Sequence, residues 1–193
     1  MGTLAFLGIS SLLFALTLTP LVRNASLHFG LVDVADNRRK LHGGSIPRVG
    51  GIAILLAYVA SFVFALMVPL SGDGMIAAAI PKLTGVFLAV LIIFATGLID
   101  DLATLSPRQK LLGELLGAIV ACCFGVQVHV MHGSPLGQWT SPLVTIVWLL
   151  ACTNAFNLID GLDGLASGVG LFATATILIA AITDHNIGLA IVT

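Results

Sequence analysis

Between Pro142 and Ile182 the chain reads PLVTIVWLLACTNAFNLIDGLDGLASGVGLFATATILIAAI. Two apolar runs, Pro142–Leu158 and Leu165–Ile182, flank a polar stretch with two amides and two carboxylates spaced by three: Asn154, Asn157, Asp160 and Asp163. At about 1.5 Å per residue each run, as a helix, approaches the thickness of a bilayer's hydrocarbon core. The same kind of run occurs upstream at Thr3–Val22, Gly50–Leu70, Leu83–Ile99 and Leu111–Val128, and a seventh apolar stretch begins at Ile187. The expected fold is therefore all-α: a polytopic transmembrane helix bundle with about six complete spans plus the start of a seventh. Residues 1–193 are expected to form a single integral-membrane domain. Because membrane proteins rarely end inside a span, the chain is expected to be the N-terminal part of a longer protein.

Composition points the same way. The chain is 58% hydrophobic and 9% charged, with a mean hydropathy of +1.11, whereas about a quarter of the residues of a soluble domain are charged. The first run has no basic residue before it and is too long for a signal-peptide core, so it reads as a retained span. The formal net charge of -1 is uninformative about partners, and no nucleic-acid partner is indicated. Cys122, Cys123 and Cys152 lie in apolar surroundings without ligand spacing and read as small packing residues.

Position matters more than the sum of charges. Arg23, Arg38, Arg39, Lys40, Arg48, Arg108 and Lys110 fall in the first and third loops of the six-span scheme, and only Lys82 falls on the opposite side. The positive-inside rule then makes those loops cytoplasmic and the N-terminus external. The Asn154–Asp163 stretch emerges on the cytoplasmic side too. Asp100 and Asp101 sit at the inner end of the third span, and only Asp73 and Asp184 face outward. Glu114 falls in the first turn of the span drawn from Leu111, where a helix N-terminus favours an anion. No carboxylate lies clearly at the midplane, which argues against a proton relay through the bilayer.

Three inner segments carry polar chemistry. In DVADNRRKLHGGSIPRVGG (Asp33–Gly51), cations and glycines beside a helix N-terminus suit either a bound phosphate or anionic lipid headgroups. The segment lacks a P-loop signature. In LIDDLATLSPRQK (Leu98–Lys110), adjacent carboxylates at a helix C-terminus need a cation such as Mg²⁺, Arg108 or Lys110. A DD pair beside phosphates suits Mg²⁺, and a solvated loop with Ser106-Pro107 opening the next helix is the plainer reading. In the third segment, spacing by three puts Asn154 and Asn157 on one helical face, as it does Asp160 and Asp163. Over all four the drift reaches about half a turn. Gly161 and Gly164 follow the two aspartates, so a helix break is expected there, which membrane depth tolerates inside protein or beside a wet cavity.

Together, RKLHGGSIPRVGG (Arg39–Gly51), GLIDDLATLSPRQK (Gly97–Lys110) and NAFNLIDGLDGLASG (Asn154–Gly168) resemble the motifs of the polyprenyl-phosphate N-acetylhexosamine-1-phosphate transferases. The third motif looks closer to the N-acetylglucosamine branch of that family than to the muramoyl-pentapeptide branch. The resemblance implies a bacterial inner-membrane enzyme that transfers sugar 1-phosphate from a UDP-N-acetylamino sugar to undecaprenyl or another polyprenyl phosphate, releasing UMP. This is the first membrane step of a cell-envelope glycan such as lipopolysaccharide. It implies Mg²⁺, with Mn²⁺ as a substitute, and is compatible with a homodimer. By the same resemblance Lys40, His42 and Arg48 neutralise phosphates, Asp100 and Asp101 sit at the reacting phosphate, and Asn157 offers its amide oxygen to Mg²⁺. Asn154, Asp160 and Asp163 shape the nucleotide-sugar pocket, one of the two aspartates assisting the acceptor. Family members are longer and carry a further metal-ligating Asp and a His-rich loop, so the chain covers about their first half and alone is expected to be inactive.

Two other classes compete. A CDP-alcohol phosphotransferase would follow Asp163-Gly164 with an Arg and a downstream Asp pair, where this chain has LASG. A transporter with a broken polar helix would place carboxylates at the midplane and show an internal repeat, and neither is evident.

Overall fold

In lipid, a backbone N–H or C=O without a partner costs several kcal/mol, so apolar runs of this length close their hydrogen bonds internally as helices. The computed structural model describes residues 2–33, 46–47, 49–68, 73–128, 137–160, 164–186 and 189–190. Six helices result: α1 (Gly2–His28), α2 (Gly50–Met67), α3 (Asp73–Ala103), α4 (Pro107–Cys123), α5 (Gly137–Ile159) and α6 (Leu165–Thr183). Among the described residues, five stretches are long and apolar enough to cross a membrane: Thr3–His28, Gly50–Met67, Leu83–Ala103, Trp139–Ile159 and Leu165–Thr183. The chain is a multi-pass, all-α membrane protein. Of the seventh apolar stretch, Leu189 and Ala190 are described, and both are helical.

The remaining expected span is α4. It begins four residues before the expected Leu111 and ends at Cys123, 17 residues in all. Its start is written locally. Ser106 accepts from the Gln109 N–H, the Gln109 side chain accepts from the Ser106 N–H, and Pro107 takes the first helical position, where no N–H is needed. The earlier start moves Glu114 about two turns into the helix, so it is not the first-turn anion expected.

One departure from pure helix is a two-residue antiparallel pair, β1 (Val32–Asp33) with β2 (Ile46–Pro47), in the register Val32↔Pro47 and Asp33↔Ile46. The pair joins the chain on either side of residues 34–45.

Backbone contacts divide the chain into two units, residues 1–74 with 101–103, and residues 75–100 with 104–193. In the first unit α2 buries Ala53, Ala57, Ser61 and Ala65, a stripe at intervals of four that lets a neighbouring backbone approach closely. Phe64 stacks on Phe6 of α1 with ring centroids 5.3 Å apart and meets Phe14 edge-on at 6.0 Å.

The second unit is assembled around α4. Gly113 faces Thr96 of α3 and Gly117 faces Ile93 so closely that an added Cβ would overlap either side chain. Further round, Glu114, Ala118, Ala121 and Cys122 are buried. At its far end Cys122 Sγ lies 3.9 Å from the Pro142 carbonyl of α5, and the Val128 N–H donates to Thr145 Oγ1 at 2.8 Å. The cysteines are all free thiols; Cys122 is buried as a packing residue should be, Cys152 is partly buried, and Cys123 is exposed, against that expectation. The outer side of α4 is open, with Leu112 64% exposed, as are positions on α5 such as Leu158, 86% exposed, and Trp139, 82%.

Gly117→Val should lower the unfolding free energy in detergent by about 1–3 kcal/mol, the usual cost of overpacking a close contact. Gly8→Ala, where nothing lies within 4 Å of the added carbon, should leave the melting temperature unchanged or slightly higher.

Candidate active site

Several polar residues of the second unit gather at one end because α3 ends, α4 begins and α5 ends there. Asp100 lies in the last turn of α3, three residues (Thr104–Ser106) lead into α4, and α5 returns to the start of α4. The α3–α4 turn is held by Asp100. Its Oδ1 accepts from the Leu105 N–H at 3.0 Å, its Oδ2 accepts from Lys110 Nζ at 2.9 Å, and its carbonyl accepts from the Thr104 N–H at 2.9 Å. Thr104 takes the left-handed conformation, φ 51°, that lets the chain reverse so tightly. A carboxylate at a helix C-terminus faces the negative end of the helix dipole, and Lys110 supplies the cation that offsets it. Of the three cations expected to do this, the structure uses Lys110. Its ion pair is about one-fifth exposed on either side. Asp101, one residue on, is exposed.

Across the same end, Asn154 of α5 donates from Nδ2 to Glu114 Oε2 and to the Leu150 carbonyl, the latter at 2.9 Å. Glu114 is 3% exposed. A carboxylate so enclosed in apolar protein requires a donor, since an unpaired buried charge costs several kcal/mol. Lys110 and Glu114 stand four residues apart and so share a face of α4. One joins α4 to α3 and the other joins it to α5. Motif reading alone left Glu114 without a partner. The available signal was a lone carboxylate inside KLLGELLGAIVACC (Lys110–Cys123), since an ionisable residue within a span normally has an assigned task.

Asn157 and Asp160 follow at the end of α5, and both are exposed. The Asp160 N–H still bonds back to the Phe156 carbonyl at 3.0 Å. The expected break is present: α5 ends at Ile159, and α6 begins at Leu165 after Gly164, whose φ of 76° suits glycine. Asp163, and likewise Lys40, His42 and Arg48, lie outside the described residues. The structure therefore brings together Asp100, Lys110, Glu114 and Asn154, with Asn157 and Asp160 following on the same segment. Among the described residues no group of three or more His, Cys, Asp or Glu side chains is arranged to hold a metal.

Residues 83–193 match the model of glycosyl transferase family 4. The chain is 33% identical over 187 residues to the probable undecaprenyl-phosphate N-acetylglucosaminyl 1-phosphate transferase of Bacillus subtilis, covering 93% of this chain and 48% of that protein. It is 30% identical over 194 residues to the decaprenyl-phosphate N-acetylglucosaminephosphotransferase of Mycolicibacterium smegmatis, covering 95% and 47%. Against the phospho-N-acetylmuramoyl-pentapeptide-transferase of Latilactobacillus sakei the identity is 28% over 179 residues, covering 82% and 52%. The chain thus spans about half the length of the curated relatives it matches. No solved structure matches it. With its motifs in order across apolar helices and its polar side chains gathered where α3, α4 and α5 meet, the chain belongs to glycosyl transferase family 4.

Proposed function

We propose that this chain carries part of the active site of a transferase that moves N-acetylglucosamine 1-phosphate from its UDP-sugar to undecaprenyl or another polyprenyl phosphate. The observation that carries the reading is the convergence of Asp100 and the Asn154–Asp160 segment at one end of the α3–α5 bundle. An amphiphilic acceptor held in the bilayer would present its phosphate at such an end, and a water-soluble nucleotide would reach it from outside the lipid. The excess of Lys and Arg in the first and third loops of the six-span scheme supports a cytoplasmic side for that end and an external N-terminus, and the bacterial relatives support a bacterial plasma membrane. The names of the relatives support the polyprenyl phosphate acceptor and the sugar.

In the reaction, an oxygen of the acceptor phosphate attacks the sugar-bearing β-phosphorus of the UDP-sugar. A new P–O bond forms, the bond from that phosphorus to the bridging oxygen breaks, and UMP leaves with the bridging oxygen. Phosphoryl transfer requires little covalent help from protein; it requires in-line positioning and neutralised charge. Lys40, His42 and Arg48 would hold phosphates. Asp100, fixed by Lys110 and the Leu105 N–H, would define the edge of the reacting site with Asp101. Asn157 would contribute one oxygen to Mg²⁺, which when bound supplies charge neutralisation on the phosphates. Asp160 and Asp163 would meet the substrates. A homodimer is compatible with this arrangement and is not required by it.

The direct test is UMP release by the intact protein from UDP-N-acetylglucosamine, with undecaprenyl phosphate and Mg²⁺ both present. Release that needs both additions is expected, and its absence would remove the transferase reading. Asp100→Asn keeps an oxygen for the Leu105 N–H but loses the charge, and should lower kcat by about 100-fold or more. Asp163→Asn should do the same, and both variants should reach the membrane in wild-type amounts. Cys122→Ala, away from this end, should change turnover less than about twofold.

A further inference from the structure

The amide of Asn154 is held from one side only. Both of its donor protons are on Nδ2, and both are committed to acceptors, Glu114 Oε2 and the Leu150 carbonyl. A flipped amide would set Oδ1 against a carboxylate and a carbonyl, neither of which donates when Glu114 is ionised. The carbonyl alone forbids the flip if the carboxyl is protonated. Oδ1 is therefore turned away from both, on a residue that is exposed while its anchor Glu114 is 3% exposed. The result is an oriented hydrogen-bond acceptor one helical turn before Asn157.

An oriented acceptor selects its ligand by chemistry. It attracts N–H and O–H groups and repels phosphate oxygens. A UDP-sugar carries such donors on its uracil, ribose and acetamido sugar, whereas the ionised head group of a polyprenyl phosphate is essentially all acceptor. We propose that Glu114 is a positioning residue for the sugar-nucleotide: it locks Asn154 so that Oδ1 accepts a hydrogen bond from the donor substrate and not from the lipid. This inference rests on the transferase reading above. Glu114 touches no substrate itself. Buried about two turns inside α4, it acts through Asn154.

The test is steady-state UMP release by the intact protein, with UDP-N-acetylglucosamine and undecaprenyl phosphate varied separately. Glu114→Met keeps the volume and removes the acceptor. It should raise the KM for UDP-N-acetylglucosamine by about tenfold, the worth of one oriented hydrogen bond. The KM for undecaprenyl phosphate should stay within about twofold of wild type. Glu114→Gln retains an acceptor oxygen for Asn154 Nδ2 and should keep the nucleotide KM within about threefold. Combined with Asn154→Ala, Glu114→Met should add nothing further, since the two side chains act as a unit. Where Glu114→Met does not fold, Glu114→Asp, which keeps the charge and withdraws the acceptor by one methylene, should raise the same KM severalfold. An unchanged nucleotide KM in whichever of Glu114→Met and Glu114→Asp folds would overturn the inference alone. So would a loss confined to kcat, or independent losses multiplying in the double variant. No UMP release from wild type would overturn the transferase reading and this inference with it.

Discussion

A carboxylate inside a membrane helix cannot face lipid. Glu114 is set within an apolar run and is 3% exposed, so the helix face that carries it must be covered by protein and met by a donor. The rest of the second unit follows from that demand. α4 becomes the shared element, contacting α3 through its glycines and α5 through Glu114 and the small residues that continue along the helix. Its other side stays open and apolar: Leu112 is 64% exposed and Leu116 54%. Arg108 and Lys110 fall in its first turn and Glu114 on its covered face, so beyond that turn the open side carries no charge.

The glycines at 113 and 117 are part of the same solution. With a side chain at either position α3 could not come as close as Thr96 and Ile93 now lie. The approach brings the end of α3 within reach of Lys110, whose ammonium meets Asp100 at 2.9 Å. One helix thus holds two polar partners from two directions, Asp100 through Lys110 and Asn154 through Glu114. An end held in this way suits the proposed transfer better than a flexible loop, because such chemistry depends on fixed positions and preset charge.

Much of this was legible from residue order. The spans that became α1, α2, α3, α5 and α6 were visible as apolar runs, but polar and charged side chains carried helices past the lipid-like core: α1 runs six residues beyond Val22, and α3 starts ten before Leu83 and ends four past Ile99. The break after Ile159 was visible in the Asp-Gly repeats, and Lys110 was already among the cations expected near Asp100. The start of α4 was less plain. Hydropathy places a boundary where apolar residues begin, at Leu111, while the helix begins where its N–H groups are capped, at Ser106-Pro107. The short β1–β2 pair was not visible at all, since two-residue pairing leaves no periodic pattern.

What the sequence by itself determined is the class of protein and the address of its chemistry: apolar runs that must be helices in lipid, and polar motifs confined to their ends. Hydrophobicity and capping act between residues close in the chain, so both can be read along it. What only the tertiary structure decided is which polar groups serve which. Glu114 and Asn154 are 40 residues apart and meet because α4 and α5 pack together. Their pairing turns one asparagine into an oriented acceptor and gives a carboxylate, otherwise prohibitively costly to bury, its partner. Such a contact depends on the packing distance between two helices, a quantity that no local stretch of residues contains.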